Sequence, residues 1–266
     1  MKIKRMASAL AVGLALAAAL PLAGATNIDV GGVIFDPASP FDFVTHGGLF
    51  EHVIANVGDT VQGYGLINNI NQVTDASQFC PNCELTYVFG GFTLANPDPT
   101  HLLFTGGWVD FFVQDKSAPG YTAYSAFAPN GNAGDGSLWL SLVGHTDTRL
   151  GYSGPGTLFG KLDAGTLGTG TERGQGGGLL DVTGGLAMGN IDTNSVLDSL
   201  GGFADLNFTS TFLPTGAAAI GLGAPGLTGD ATFTGDAIPE PATLLLLAAG
   251  LCAAGFAGRR SAKDGA

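Results

Sequence analysis

The chain has 266 residues, 45% of them apolar, with 44 glycines and a formal net charge of −12. The apolar share excludes a disordered polar chain, and the lack of a basic patch excludes a nucleic-acid binder. Between the two ends only Lys116, Arg149, Lys161 and Arg173 face 20 acids, a net of −16.

Residues 1–25 have a basic start (Lys2, Lys4, Arg5), an apolar stretch from Ala7 to Leu20 and a small-residue end, Ala23-Gly24-Ala25. That layout predicts a signal peptide cleaved after Ala25 and an exported protein. The ectodomain is then 26–237, long enough for one domain with a substantial core.

In chain order, Ile28–Phe35 reads as a first strand ended by Asp36-Pro37, and Leu49–Ala55 as either a helical turn or a strand. Tyr64–Val73 and Glu84–Leu94 are strands, the second with Gly90-Gly91 marking a bulge or bend. Leu102–Thr105 and Trp108–Gln114 read as a hairpin joined by Gly106-Gly107. Ser137–Gly144, Thr157–Leu162 and Leu179–Val182 add further strands, and Gly168–Gly178, with six glycines in eleven residues, reads as a mobile loop. Phe203–Leu213 has the clearest period of two: Ala204, Leu206, Phe208 and Phe212 on one face, Asp205, Asn207, Thr209 and Thr211 on the other. Ala231–Thr234 closes the series. Short strands without long amphipathic helices predict an all-β fold, an antiparallel β-sandwich or jelly roll.

Chemistry-bearing residues are few. Cys80-Pro81-Asn82-Cys83 is most simply a local disulfide pinning a loop, with free thiols, a redox pair or a metal pair as alternatives. His46, His52, His101 and His145 fit no metalloprotease spacing, and no serine has a nucleophile signature around it. The ectodomain holds only three glutamates, Glu51, Glu84 and Glu172, which disfavours a hydrolase built on paired carboxylates. Asn130, Asn132 and Asp135 gather side-chain oxygens for a calcium ion, and Asp192–Asp198 starts like a calcium loop before Val196 and Leu197 break the pattern. Both stretches also read as ordinary turns, and no cofactor is expected.

The last stretch has three parts in order. Pro239-Glu240-Pro241 is extended by its prolines, 242–258 is an uncharged span that includes four consecutive leucines, and Arg259, Arg260 and Lys263 make a basic end. Seventeen helical residues reach roughly 26 Å, near the lower limit for crossing a bilayer core. Together these parts resemble the PEP-CTERM sorting signal of Gram-negative bacteria. The Cys80–Cys83 segment with its following strand, and the 192–206 segment, look similar to ectodomains found in such proteins.

The resemblance implies recognition of Pro239, Glu240 and Pro241 by an exosortase, a membrane-embedded transpeptidase. It also implies transient insertion in the inner membrane, release to the cell surface or extracellular matrix, and association with exopolysaccharide. The expected function is therefore that of a non-enzymatic exported surface protein. The alternative is a calcium-dependent carbohydrate-binding module using Trp108, Tyr121, Tyr124 or Trp139 as stacking platforms. A secreted hydrolase is the third reading, one that two facing carboxylates in a deep cleft would revive.

Overall fold

Apolar and polar side chains alternate along the long strands, so each strand turns one face inward. The computed structural model describes residues 27–39, 42–98, 100–126, 128, 132–215 and 226–238, within a compact unit spanning Asn27–Pro239. The long strands are β3 (Phe43–His52), β4 (Thr60–Ile70), β5 (Cys83–Pro97), β6 (His101–Asp115), β7 (Ser137–His145), β8 (Leu158–Ala164), β9 (Arg173–Gly184), β12 (Leu206–Pro214) and β13 (Gly226–Gly235), with a short pair, β10 (Val196–Leu197) and β11 (Phe203–Ala204), between β9 and β12 in the chain. Every pairing between them is antiparallel.

Strand β13 pairs back onto β3, and β9 pairs onto β12. The sheet therefore closes on itself as an up-and-down barrel in which sequence neighbours are spatial neighbours. The antiparallel all-β expectation holds. The finer expectation of two packed sheets or a jelly-roll crossover gives way to a closed ring, which leaves no edge exposed.

One position in the ring is shared. Strand β7 pairs with the second half of β6 (Trp108↔Val143 to Val113↔Ser137), and β8 pairs with the first half (His101↔Lys161 to Phe104↔Leu158). Both also pair with β9. They run end to end as one stave, interrupted by residues 146–157, which leave the wall and rejoin it across an Asp147↔Gly156 bridge.

Large rings fill the lumen opposite residues that lack side chains. A Cβ on Gly65 would lie 2.5 Å from the Tyr87 ring, and one on Gly63 would lie 2.5 Å from Phe89. Tyr87, Phe111 and Phe233 then pack mutually at ring centroids of 5.6, 5.5 and 4.9 Å, each pair contributing about 1 kcal/mol beyond its burial.

Gly106-Gly107 corrects the hairpin expectation. Strand β6 runs unbroken through both residues, and Gly91 and Gly107, at φ +73° and +91°, fall opposite each other between the pairs Gly90↔Trp108 and Phe92↔Gly106. Both strands bend there together instead of turning back. A second correction concerns Gly168–Gly178: β9 begins at Arg173, so six of its residues lie in the barrel wall rather than in a loop. A Cβ on Gly174 would meet Lys161 O at 2.0 Å and Phe212 at 2.9 Å, so close strand approach selects glycine there.

The first expected strand is instead a hairpin, β1 (Ile28–Val30) and β2 (Val33–Phe35), turning at Gly31-Gly32. Ile28, Val33 and Phe35 of this hairpin join the core. Phe35 packs edge-on against Phe43 (5.3 Å) and Trp139 (6.3 Å), and the Trp139 indole Nε1 donates to Val30 O at 2.9 Å. Two single helical turns, α1 (Ala76–Phe79) and α2 (Met188–Ile191), bury Phe79 and Ile191. After α1, Cys80 and Cys83 sit 4.9 Å apart at Cα with their sulfurs in contact.

Candidate functional site

The lumen contains a cavity of about 70 Å³. Its walls are the inward residues of the barrel, among them Phe89, Phe92, Phe104, Leu162, Phe208 and Phe212, together with Ile54 and Leu167. Two of the three ectodomain glutamates, Glu51 near the end of β3 and Glu172 just before β9, line it as well. The third, Glu84, accepts hydrogen bonds from Tyr121 Oη at 3.3 Å and Tyr124 N at 2.8 Å and so pins an outer loop.

Glu172 is 2% exposed. Its Oε1 accepts from Thr169 N at 3.0 Å, while Oε2 has no hydrogen-bond partner. Burial, followed by the neighbouring charge of Glu172, pushes the Glu51 carboxyl up to about 7. Part of the Glu51 surface is accessible, yet the carboxyl lies at the cavity wall, so removal from bulk water governs its titration. Beside it His52 is held below its usual range by burial, its Nε2 bonded to Gln62 at 3.1 Å and its Nδ1 unpartnered. The Tyr87 phenol, also buried here, is pushed well above its usual range, by burial first and then by nearby Tyr124, Glu51 and Asp230.

Two carboxyls thus line one cavity, and the charge of Glu172 acts on Glu51. Their surroundings do not suit a sugar: the chamber is small and walled mainly by hydrocarbon rings, with few partners for hydroxyl groups.

A second cluster lies where the shared stave is interrupted. His145 ends β7, with Nδ1 2.8 and 2.9 Å from the Asp181 carboxylate and Nε2 2.8 Å from Asp198. Burial works against the charged ring, but the hydrogen bonds and charges of Asp198 and Asp181 prevail and raise its pKa. Asp198 is held below the usual carboxylate range by the His145 hydrogen bond and by backbone N–H groups of its own loop. Next to it, the Ser199 hydroxyl donates a short hydrogen bond to Asp147. Because both ring nitrogens are engaged by carboxylates and Ser199 bonds elsewhere, this is an ion-paired brace and has no free base. The sequence contained His145 but no sign of its partners, which lie 36 and 53 residues away.

The expected calcium and sugar residues are only partly brought together. Trp108, Asp110, Asn132 and Asp135 line one outer groove, with Trp108 39% exposed. Asn130 lies outside the described residues. Asn132 adopts φ +54° and its Nδ2 donates to Ala123 O at 3.4 Å, as a turn residue does. Among the described residues no group of three or more His, Cys, Asp or Glu gathers around a metal position. Trp139 is fully buried in the core, Tyr124 packs on Tyr64 at 6.3 Å, and Tyr121 reaches Glu84. In the Asp192–Asp198 stretch the amides of Thr193 and Asn194 donate to Asp205 at 2.8 and 2.6 Å. Asp205 also accepts from Val182 N at 2.7 Å and is buried, which corrects its expected outward position.

Ala25, Pro239, Glu240, Pro241, the 242–258 span, Arg259, Arg260 and Lys263 all lie outside the described residues. No described helix is long and apolar enough to cross a membrane. The chain does carry a PEP-CTERM protein-sorting motif at residues 237–261. That motif implies export, exosortase-dependent sorting of a surface protein and membrane-anchored processing at the C-terminus. Neither a curated protein nor a solved structure matches the chain.

The described structure ends at the motif. Ile238 N donates to Asn190 O at 2.7 Å, and Asn190 Nδ2 donates to Ile238 O at 3.3 Å. The chain is therefore tied to α2 one residue before Pro239.

Proposed function

We propose that this protein is a non-enzymatic β-barrel, carried to the cell surface or extracellular matrix through its C-terminal motif and retained there in association with exopolysaccharide. The observation that carries the reading is the sorting motif at residues 237–261. Three further features support it. The closed sheet offers no edge for uncontrolled pairing outside the cell. The ion-paired His145 has no nucleophile on it, and the ectodomain acidity keeps the barrel soluble once released. A disulfide between Cys80 and Cys83 belongs to the same reading, since the oxidising exterior favours one wherever two sulfurs already touch.

Transient membrane insertion through 242–258, with Arg259, Arg260 and Lys263 on the cytoplasmic side, completes the route. Fractionating cells with and without the exosortase tests it. The reading expects barrel at the surface only when the enzyme is present, and equal surface amounts in both strains contradict it. Co-sedimentation of the released protein with purified exopolysaccharide tests the association separately, and a protein left wholly in the supernatant removes it.

A carbohydrate-binding second reading keeps one specific support: Trp108 is exposed beside Asp110, Asn132 and Asp135 in a single groove. An exposed indole beside hydrogen-bonding groups suits a sugar face. Calorimetry with an acidic polysaccharide, with and without calcium, decides it. Heat lost in Trp108→Ala supports the groove, and no heat in either condition rejects it.

A further inference from the structure

We propose that the barrel lumen binds a small primary alkylammonium ion, its chain among the lumen rings and its charged head on Glu51 and Glu172.

The inference starts from an imbalance of charge. Among the described residues no Lys or Arg lines the cavity, and neither Glu51 nor Glu172 takes part in an ion pair. Burial lowers the pKa of His52, which disfavours a compensating charge there. A carboxyl oxygen on a residue 2% exposed, Glu172 Oε2, is left without a hydrogen-bond donor at the cavity wall. Buried carboxyls in an apolar chamber are costly, and the complement that relieves the cost is a cation with several N–H donors.

The rest of the wall defines the body of that cation. Phe89, Phe92, Phe104, Phe208, Phe212 and Leu162 present hydrocarbon and aromatic faces, which favour an alkyl chain and attract positive charge. The volume sets its size. The cavity holds about 70 Å³, against roughly 150 Å³ for an apolar cavity that admits benzene, so a chain of about three carbons fits. A bare metal ion fits poorly, because the described residues gather no set of three ligating side chains. A carboxylate ligand would be repelled.

Titration gives the site a pH dependence. The groups facing Glu51 are Glu172 ahead of β9, His52 on its own strand and Tyr87 on β5, with Asp230 of β13 beyond Tyr87. Burial lowers the pKa of His52 and raises that of Tyr87, so both groups disfavour their charged forms. With Glu51 titrating at about 7, a cation that needs its ionised form binds about tenfold more tightly at pH 8 than at pH 6.

The test is calorimetry on the full-length protein in nonionic detergent, with detergent blanks, using propylammonium, propanol and propionate at pH 6 and 8. The expected result is saturable 1:1 binding of propylammonium, stronger at pH 8, with propanol and propionate at least tenfold weaker. Glu172→Gln keeps the side-chain shape and is expected to weaken propylammonium by about tenfold or more, and a melting curve on the same sample confirms that it folds. Ser210→Leu, which fills the lumen from β12, is expected to abolish binding. Propanol binding as tightly as propylammonium overturns the proposal by making the chamber merely apolar. So does the absence of propylammonium binding at pH 8, or its full retention in folded Glu172→Gln.

Discussion

Asn190 and Ile238 hold each other through two hydrogen bonds, backbone to backbone at 2.7 Å and side chain to backbone at 3.3 Å. Beyond β13 the described chain is therefore held to α2 up to the residue before Pro239, and Ala237 is itself buried.

Asn190→Ala removes the side-chain bond and leaves the backbone bond. The expected cost is about 1 kcal/mol or less in global stability. A larger relative effect is expected on amide exchange at Ile238, whose protection should fall while that of β13 holds. Unchanged protection at Ile238 would show that the clamp does not hold the tail base.

Glu51 predicts an acid-stabilised barrel. Its folded pKa is raised from 4.5 to about 7, so between those values the native state keeps a proton that the unfolded chain has lost. Stability from this group is greatest below about pH 4.5, declines as pH rises toward 7, and levels off above it. Glu51→Gln removes the decline. It should match the parent near pH 4.5 and exceed it at pH 8 by up to about 3 kcal/mol. Denaturant melts at the two pH values check this, and a variant that is weaker at pH 8 would contradict the burial account.

His145 acts in the same sense, over a higher pH range. Its raised pKa means that its stabilisation is full below the ordinary histidine value of 6.5 and fades as pH climbs through the higher folded value. Asp198, held below 3.8, contributes above that value and loses its contribution as pH falls through the lower one. The brace is therefore complete between about pH 4 and 6.5. A nuclear magnetic resonance titration should place His145 above 6.5. His145→Gln should lower the melting temperature most within that window, and a fall that is equal at pH 9 would argue against the ion pair.

Glycine in the wall is a packing requirement, and two neighbours separate the effects. A Cβ on Gly65 would lie 1.9 Å from Gly48 O and 2.5 Å from the Tyr87 ring, whereas one on Gly48 meets nothing within 4 Å. Gly65→Ala should cost about 3 kcal/mol or more through overpacking, while Gly48→Ala should change stability by less than about 1 kcal/mol. Equal melting temperatures for the two variants would contradict the ring-against-glycine arrangement of the lumen.

Much of this barrel was legible in the sequence, and what was missed has physical causes. Glu84–Leu94 and Phe203–Leu213 read as strands because β-branched and aromatic residues alternate with polar ones. Gly174–Gly178 did not, because glycine has low intrinsic strand preference and its reason for being there, contact with Lys161 O and Phe212, is tertiary. Gly106-Gly107 carries the composition of a tight turn, and only the opposing Gly91 makes it a shared bend. Ring closure rests on β13 meeting β3, a long-range pairing with no local signature. The lumen site was legible only as a scarcity: two of three ectodomain glutamates share one cavity, and their separation in the chain hid that.

The most direct test of the sorting account is the intact mass of the protein recovered from the cell surface, compared with a Pro239→Ala, Pro241→Ala double variant. The account predicts a surface protein that lacks its basic C-terminal end, and a double variant that keeps Arg259 and Arg260 and stays in the inner-membrane fraction. A surface protein that still carries residues 242–266, or a double variant processed and located like the parent, would contradict it.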